Sequence, residues 1–149
     1  MVLKMSCNEL EVFLHEAFPQ VARDFRVEAV APNEITIRLQ VEDRHLRPGG
    51  TISGPSMFAL ADVSVYLAIL SMIGPKALAV TTNCSIDFMR KPAAGIDMLA
   101  RAKLLKLGRV LAVGEVLMYS EGIADPVARA SLTYSLPPDR SAGQGGASM

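Results

Sequence analysis

The chain has 149 residues, half of them hydrophobic, with 15 basic and 15 acidic side chains and a formal net charge of zero. That length supports one domain with a sizeable core, and the balanced charge argues against a nucleic-acid binder, which normally carries a basic excess. Two cysteines (Cys7, Cys84) and two histidines (His15, His45) supply neither a disulfide framework nor a metal-ligand cluster.

The N-terminal Met-Val-Leu-Lys-Met-Ser lacks the apolar core of a secretory signal, so a cytoplasmic compartment is expected. Ser6 and Glu9 then form a capping-box pattern ahead of Leu10, Phe13, Leu14 and Ala17 on one helical stripe. A short amphipathic helix over 6–17 follows, with Pro19 ending it. From Phe25 the period becomes two. Phe25, Val27 and Ala29, then Ile35, Ile37, Leu39 and Val41, alternate with polar residues around Pro32-Asn33, which reads as a hairpin. Residues 43–52 form a polar, glycine-bearing loop.

Residues 53–73 are the centre of the chain. Ser53 or Gly54 is a candidate N-cap, Pro55 suits a first-turn position, and Gly74-Pro75 is a stop signal. About 28 Å of helix lies between them at 1.5 Å per residue. The run is apolar nearly all round, interrupted mainly by Ser56, Asp62, Ser64, Tyr66 and Ser71. Such a helix is buried in a core, and the Asp62 charge makes a membrane span a poor reading. An ionised carboxylate there needs a reason. It is either a core carboxylate satisfied by serine or tyrosine hydroxyls, or a functional acid.

Beyond Pro75 the chain reads as strands. Leu78, Val80, Thr82, Cys84, Ile86 and Phe88 share one face; two further strands over 96–107 and 109–120 meet around Gly108. A last strand, about 127–136, places Ala128, Ala130, Leu132, Tyr134 and Leu136 together. The chain after Pro138 has no apolar period and is expected to be a flexible tail over 139–149, leaving one domain over 1–138. One long helix against a curved antiparallel six-stranded sheet is an α+β architecture. Such a sheet covers only part of a helix apolar on every side, so at least a dimer is expected.

The order of elements, and Gly49-Gly50-Thr51-Ile52-Ser53-Gly54-Pro55 leading to Leu60-Ala61-Asp62, resemble the hotdog-fold acyl-CoA thioesterases. The similarity is greatest to the phenylacetic-acid-degradation type of the 4-hydroxybenzoyl-CoA thioesterase superfamily. Asp87-Phe88-Met89-Arg90-Lys91-Pro92-Ala93 and the hairpin around Leu107-Gly108-Arg109 are similar to further family segments, and the likeness covers about residues 25–137. Aligning Asp62 with the family's helix acid sets Ser53-Gly54-Pro55 on its His-Gly-Gly turn, and His45-Leu46-Arg47 on a loop that often carries Asn or Gln.

The resemblance implies hydrolysis of an acyl-CoA thioester, without metal or redox cofactor and with CoA present only as part of the substrate. Asp62 is then the general base or nucleophile, and the Gly54 N–H at the helix start is the oxyanion donor. In the family these two meet across a dimer interface, and dimers can pair into tetramers. Substrate contacts are implied for His45, Arg47, Ser53, Phe58, Tyr66 and Thr81, and CoA phosphate contacts for Arg90, Lys91 and Arg109. A non-catalytic acyl-CoA-binding module is the alternative, since Pro55 removes one backbone donor. A hydratase is a weaker one, because no histidine follows Asp62.

Overall fold

The computed structural model describes residues 2–76 and 78–138; the tail expected over 139–149 lies outside them. Helix α1 (Cys7–Ala17) begins with the expected box: Glu9 N–H donates to Ser6 Oγ at 3.2 Å, and Ser6 N–H donates to Glu9 Oε1 at 2.9 Å. Pro19 does not simply end it. Proline disfavours the helical region for the residue before it, and Phe18 sits at φ −137°, ψ 58°. Its own fixed φ and missing N–H suit a first helical position, so a second, four-residue helix α2 (Pro19–Ala22) starts there.

Strands β1 (Phe25–Ala31) and β2 (Glu34–Leu39) form the expected hairpin, turning through Pro32 and Asn33, whose φ is 63°. The loop that follows contains a single 3-10 turn, Asp43–His45, and a bridge between Leu46 and Ile52. Helix α3 (Gly54–Ile73) then runs 20 residues. Ser53 is its N-cap, accepting from Ser56 N–H, and Gly74 closes it at φ 93°. Strands β3 (Val80–Phe88), β4 (Met98–Leu107), β5 (Leu111–Ser120) and β6 (Ala128–Ser135) complete one antiparallel sheet in the order β1-β2-β4-β5-β6-β3. This is the expected hotdog arrangement, a long helix packed on a curved sheet.

Alternation supplies the core. Ile35, Ile37 and Leu39 of β2, Met98, Ala100 and Ala102 of β4, and Ala128, Ala130, Leu132 and Tyr134 of β6 are all buried. Against them lie Leu60, Ala61, Val65, Leu67, Ala68, Ile69 and Leu70 of α3. The helix is long and apolar enough to cross a membrane by length and composition, yet 67% of its most apolar stretch is buried within this chain. Contact is close at Gly114 of β5, where a Cβ would stand 3.0 Å from both Val65 methyl groups. Outside the core, Arg38 joins four segments by ion pairs to Glu28, Asp97 and Glu121.

Strand β3 departs from simple alternation. Its register on β6 shifts between Thr81 and Asn83, so the strand gains a residue and its facing changes. Thr81, Cys84 and Ile86 become the half-buried set, while Val80 and Phe88, expected on the inner face, stand exposed. The strand is also the sheet edge, which leaves its outer backbone groups without a ladder partner in this chain.

Candidate active site

The shift in β3 places Thr81 directly opposite Tyr134 of β6, and both side chains reach Asp62 on α3. Thr81 Oγ1 donates to Asp62 Oδ1 at 2.5 Å, and Tyr134 OH donates to the same oxygen at 2.7 Å. The phenol oxygen is also 3.0 Å from the Asp62 carbonyl oxygen. Both donors therefore converge on Oδ1, and none of the described residues donates to Oδ2. Burial, reinforced by the Asp62 charge, pushes the Tyr134 phenol well above its ordinary value, so its proton stays in place.

Asp62 is half-buried and opens into a pocket of about 190 Å³ lined also by Phe18, Val63, Tyr66, Thr81 and Tyr134. An aromatic series runs along it. Tyr66 stacks on Tyr134 with centroids 6.2 Å apart, and Phe18 meets Tyr66 edge-on at 6.3 Å. Burial raises the Tyr66 phenol above its ordinary value as well. Two larger hollows, of about 320 and 360 Å³, lie on exposed stretches of the sheet around Arg101 and hold no comparable cluster. Among the described residues, no three His, Cys, Asp or Glu side chains gather in a metal-ligand group.

The remaining candidates are scattered. Gly54 opens α3 eight positions before Asp62, about 12 Å along the axis. One chain alone therefore does not bring the two together. A Cβ at Gly54 would touch Phe88 at an ordinary 3.5 Å, so space alone does not require glycine. Ser53 Oγ caps α3 and donates to Ser56 Oγ at 2.9 Å. His45, for which the resemblance implies a substrate contact, is 5% exposed. Its Nδ1 accepts from Glu42 N–H at 2.9 Å, and its Nε2 faces Asp24 Oδ2 at 3.3 Å without a formed hydrogen bond. Its carbonyl accepts from Ser53 N–H at 2.8 Å and from Ser56 Oγ at 3.3 Å, tying this loop to the start of α3.

Arg47 is exposed in the same loop, and Phe58 is exposed on α3 one turn before Asp62. Arg90, Lys91 and Arg109 are exposed beside strand ends, with Arg90 donating to the Pro126 carbonyl at 2.8 Å. Sequence reasoning overlooked Tyr134 and Phe18 as site residues. For Tyr134 a signal existed. A tyrosine on the buried face of a strand needs a partner for its hydroxyl, and Asp62 was the buried charge in need of donors.

The sequence model of the thioesterase superfamily matches residues 49–127, spanning Gly54, Asp62 and Thr81. The chain is also similar to solved structures. A protein from Silicibacter sp. TM1040 with a provisional thioesterase assignment is 59% identical, with a TM-score of 0.87 over 93% of this chain and 96% of that one. The phenylacetic acid degradation protein PaaI from Thermus thermophilus, in an N33D variant, is 32% identical, with a TM-score of 0.69 over 80% of this chain and 99% of that one. A hypothetical thioesterase from Streptococcus pneumoniae TIGR4, solved with coenzyme A, is 18% identical at TM-score 0.72 over 87% and 97%, a likeness of fold alone.

Proposed function

Because the chain belongs to the thioesterase superfamily and is a thioester hydrolase, we propose that its substrate is an acyl-CoA and that Asp62 activates the attacking water. The observation that carries this reading is the Asp62 carboxylate itself, held through one oxygen and without a donor among the described residues at the other, in a pocket lined by aromatic side chains. Asp62 takes a proton from water as the water oxygen bonds to the thioester carbonyl carbon. The oxyanion so formed collapses, the C–S bond breaks, and the proton passes to the departing CoA sulfur. Apart from coenzyme A as part of the substrate, the step calls on no cofactor or metal.

The oxyanion needs a donor, and the Gly54 N–H at the positive end of a 20-residue helix suits that role. Gly54 lies about 12 Å from Asp62 within one chain, so the reading takes Gly54 from a second copy. What favours such a copy is the unpaired edge of β3, with exposed Val80, Phe88 and Met89 along it and Phe58 on the adjoining helix. A homodimer is thus the working unit, and a tetramer of two such dimers would keep each site intact. Exposed Arg90, Lys91 and Arg109 supply cations for the CoA phosphates, as the Streptococcus neighbour's bound coenzyme A suggests for the fold. A cytoplasmic location, where acyl-CoA thioesters are available, belongs to the same reading.

A thiol-release assay over short, medium, long and aryl acyl-CoAs, run on wild type and Asp62→Ala, tests it. The variant should bind acyl-CoA as a dimer and release no thiol above background. Near-wild-type turnover would remove Asp62 from the mechanism, and binding without release by the wild type would favour the non-catalytic module.

A further inference from the structure

We propose that Tyr134 is a positioning residue for hydrolysis: together with Thr81 it fixes Asp62 Oδ1, so that Oδ2 is the oxygen that takes the proton from water. The inference rests on the Asp62 reading and goes beyond it. It assigns the reacting atom and adds a side chain outside residues 49–127, where the superfamily match lies.

The two oxygens of a carboxylate are chemically equivalent, and a free one turns about its last bond with a broad, two-fold torsion. A base that turns presents the wrong geometry for much of the time, and misplacement by as little as an ångström is costly for proton transfer. Two hydroxyls on one oxygen break that equivalence. Thr81 Oγ1 lies 2.5 Å and Tyr134 OH 2.7 Å from Oδ1. The phenol is itself held. Its ring is 2% exposed and stacked on Tyr66, and its oxygen is also 3.0 Å from the Asp62 carbonyl, which ties side chain and backbone of the acid to one point. Burial keeps the phenol protonated, so the donor is present throughout the range in which a carboxylate base works.

Both donors act on Oδ1, and the clamp leaves Oδ2 as the oxygen with no donor among the described residues. Removing the Tyr134 hydroxyl should therefore lower turnover and leave substrate binding nearly unchanged. A tyrosine that merely filled the core would change stability and leave kcat where it was.

The test uses the full chain and the better of benzoyl-CoA and octanoyl-CoA as probe. Tyr134→Phe keeps the ring and its stacking. Its kcat should fall about 10- to 100-fold, the range expected on losing a hydrogen bond to a charged group, with KM within about twofold. A second variant, with 3,5-difluorotyrosine at position 134, keeps the shape and the hydroxyl, and should hold kcat within about threefold of wild type. Tyr134→Phe with wild-type kcat overturns the proposal, as does a difluorotyrosine variant as slow as Tyr134→Phe. Should Asp62→Ala be inactive while these variants behave as wild type, only this inference fails. An active Asp62→Ala fails the Asp62 reading itself.

Discussion

Asp62 and Thr81 carry the first expectation at the scale of single residues. Thr81→Val preserves shape on the edge strand and removes one of the two donors to Oδ1. We expect kcat to fall about tenfold, the lower end for a charged hydrogen bond, with the melting temperature within a few degrees of wild type; thiol release and thermal melts check both. Asp62 was legible in the sequence because a charge inside a helix apolar on all sides stands out against its neighbours. Its partners were not. Alternation counted Tyr134 simply as one of the inward residues of the last strand. It also set Thr81 on the face away from Val80 and Cys84, because a one-residue bulge leaves no mark in a pattern of period two. The burial of His45 was not legible either: it sits in a polar loop, and only the fold shows its ring held against Glu42 and Asp24.

Among elements, the contact between α3 and β5 sets the tightest tolerance. Gly114→Ala would place a methyl 3.0 Å from both Val65 methyl groups and 3.6 Å from Leu104 Cδ2. Overpacking of that kind costs about 1–3 kcal/mol, and because Val65 lies one turn from Asp62, activity should fall with stability. Urea unfolding of Gly114→Ala, with Val65→Ala added to relieve the clash, measures the cost. The loop before α3 gives a pH prediction. Burial raises the Asp24 carboxyl, but the hydrogen bond from Arg44 and the nearness of Arg44 and His45 outweigh it and hold the group below its ordinary value. A lowered folded value stabilises the protein above the unfolded value, near 4, and that stability is lost as pH falls through the folded value. Asp24→Asn should therefore be less stable than wild type at neutral pH, and the gap should close as the pH drops below about 4. Helix and strand positions were readable to within two or three residues from caps and periods. The α2 turn at Pro19 was not, because a proline that stops one helix can start the next.

At the scale of the whole molecule, the eight positions between Gly54 and Asp62 have a measurable signature. Gly54→Pro deletes the N–H at a first helical position that tolerates proline, and Asp62→Ala deletes the proposed base. Each homodimer alone should be inactive. Mixed and reassorted in equal amounts, they should recover about a quarter of wild-type activity, since half the dimers are mixed and each has one whole site of two. No recovery, with mixed dimers demonstrated, would place both groups of a site in one chain. The overall architecture was legible because the apolar helix demanded a sheet around it. A second copy was legible only as an expectation, since no period in one chain records what another chain brings. Cys84 carries a last consequence of the buried charge. Burial and the nearby Asp62 carboxylate both push its thiol above the ordinary value, so it stays protonated and is a poor nucleophile. A thiolate there could capture the acyl group by exchange with the thioester, stranding the enzyme as its own product. On the proposed reading, the carboxylate that activates water also keeps this thiol unreactive. Asp62→Ala should accordingly alkylate faster at Cys84 with iodoacetamide near neutral pH, and mass spectrometry of the labelled peptide reads the rate.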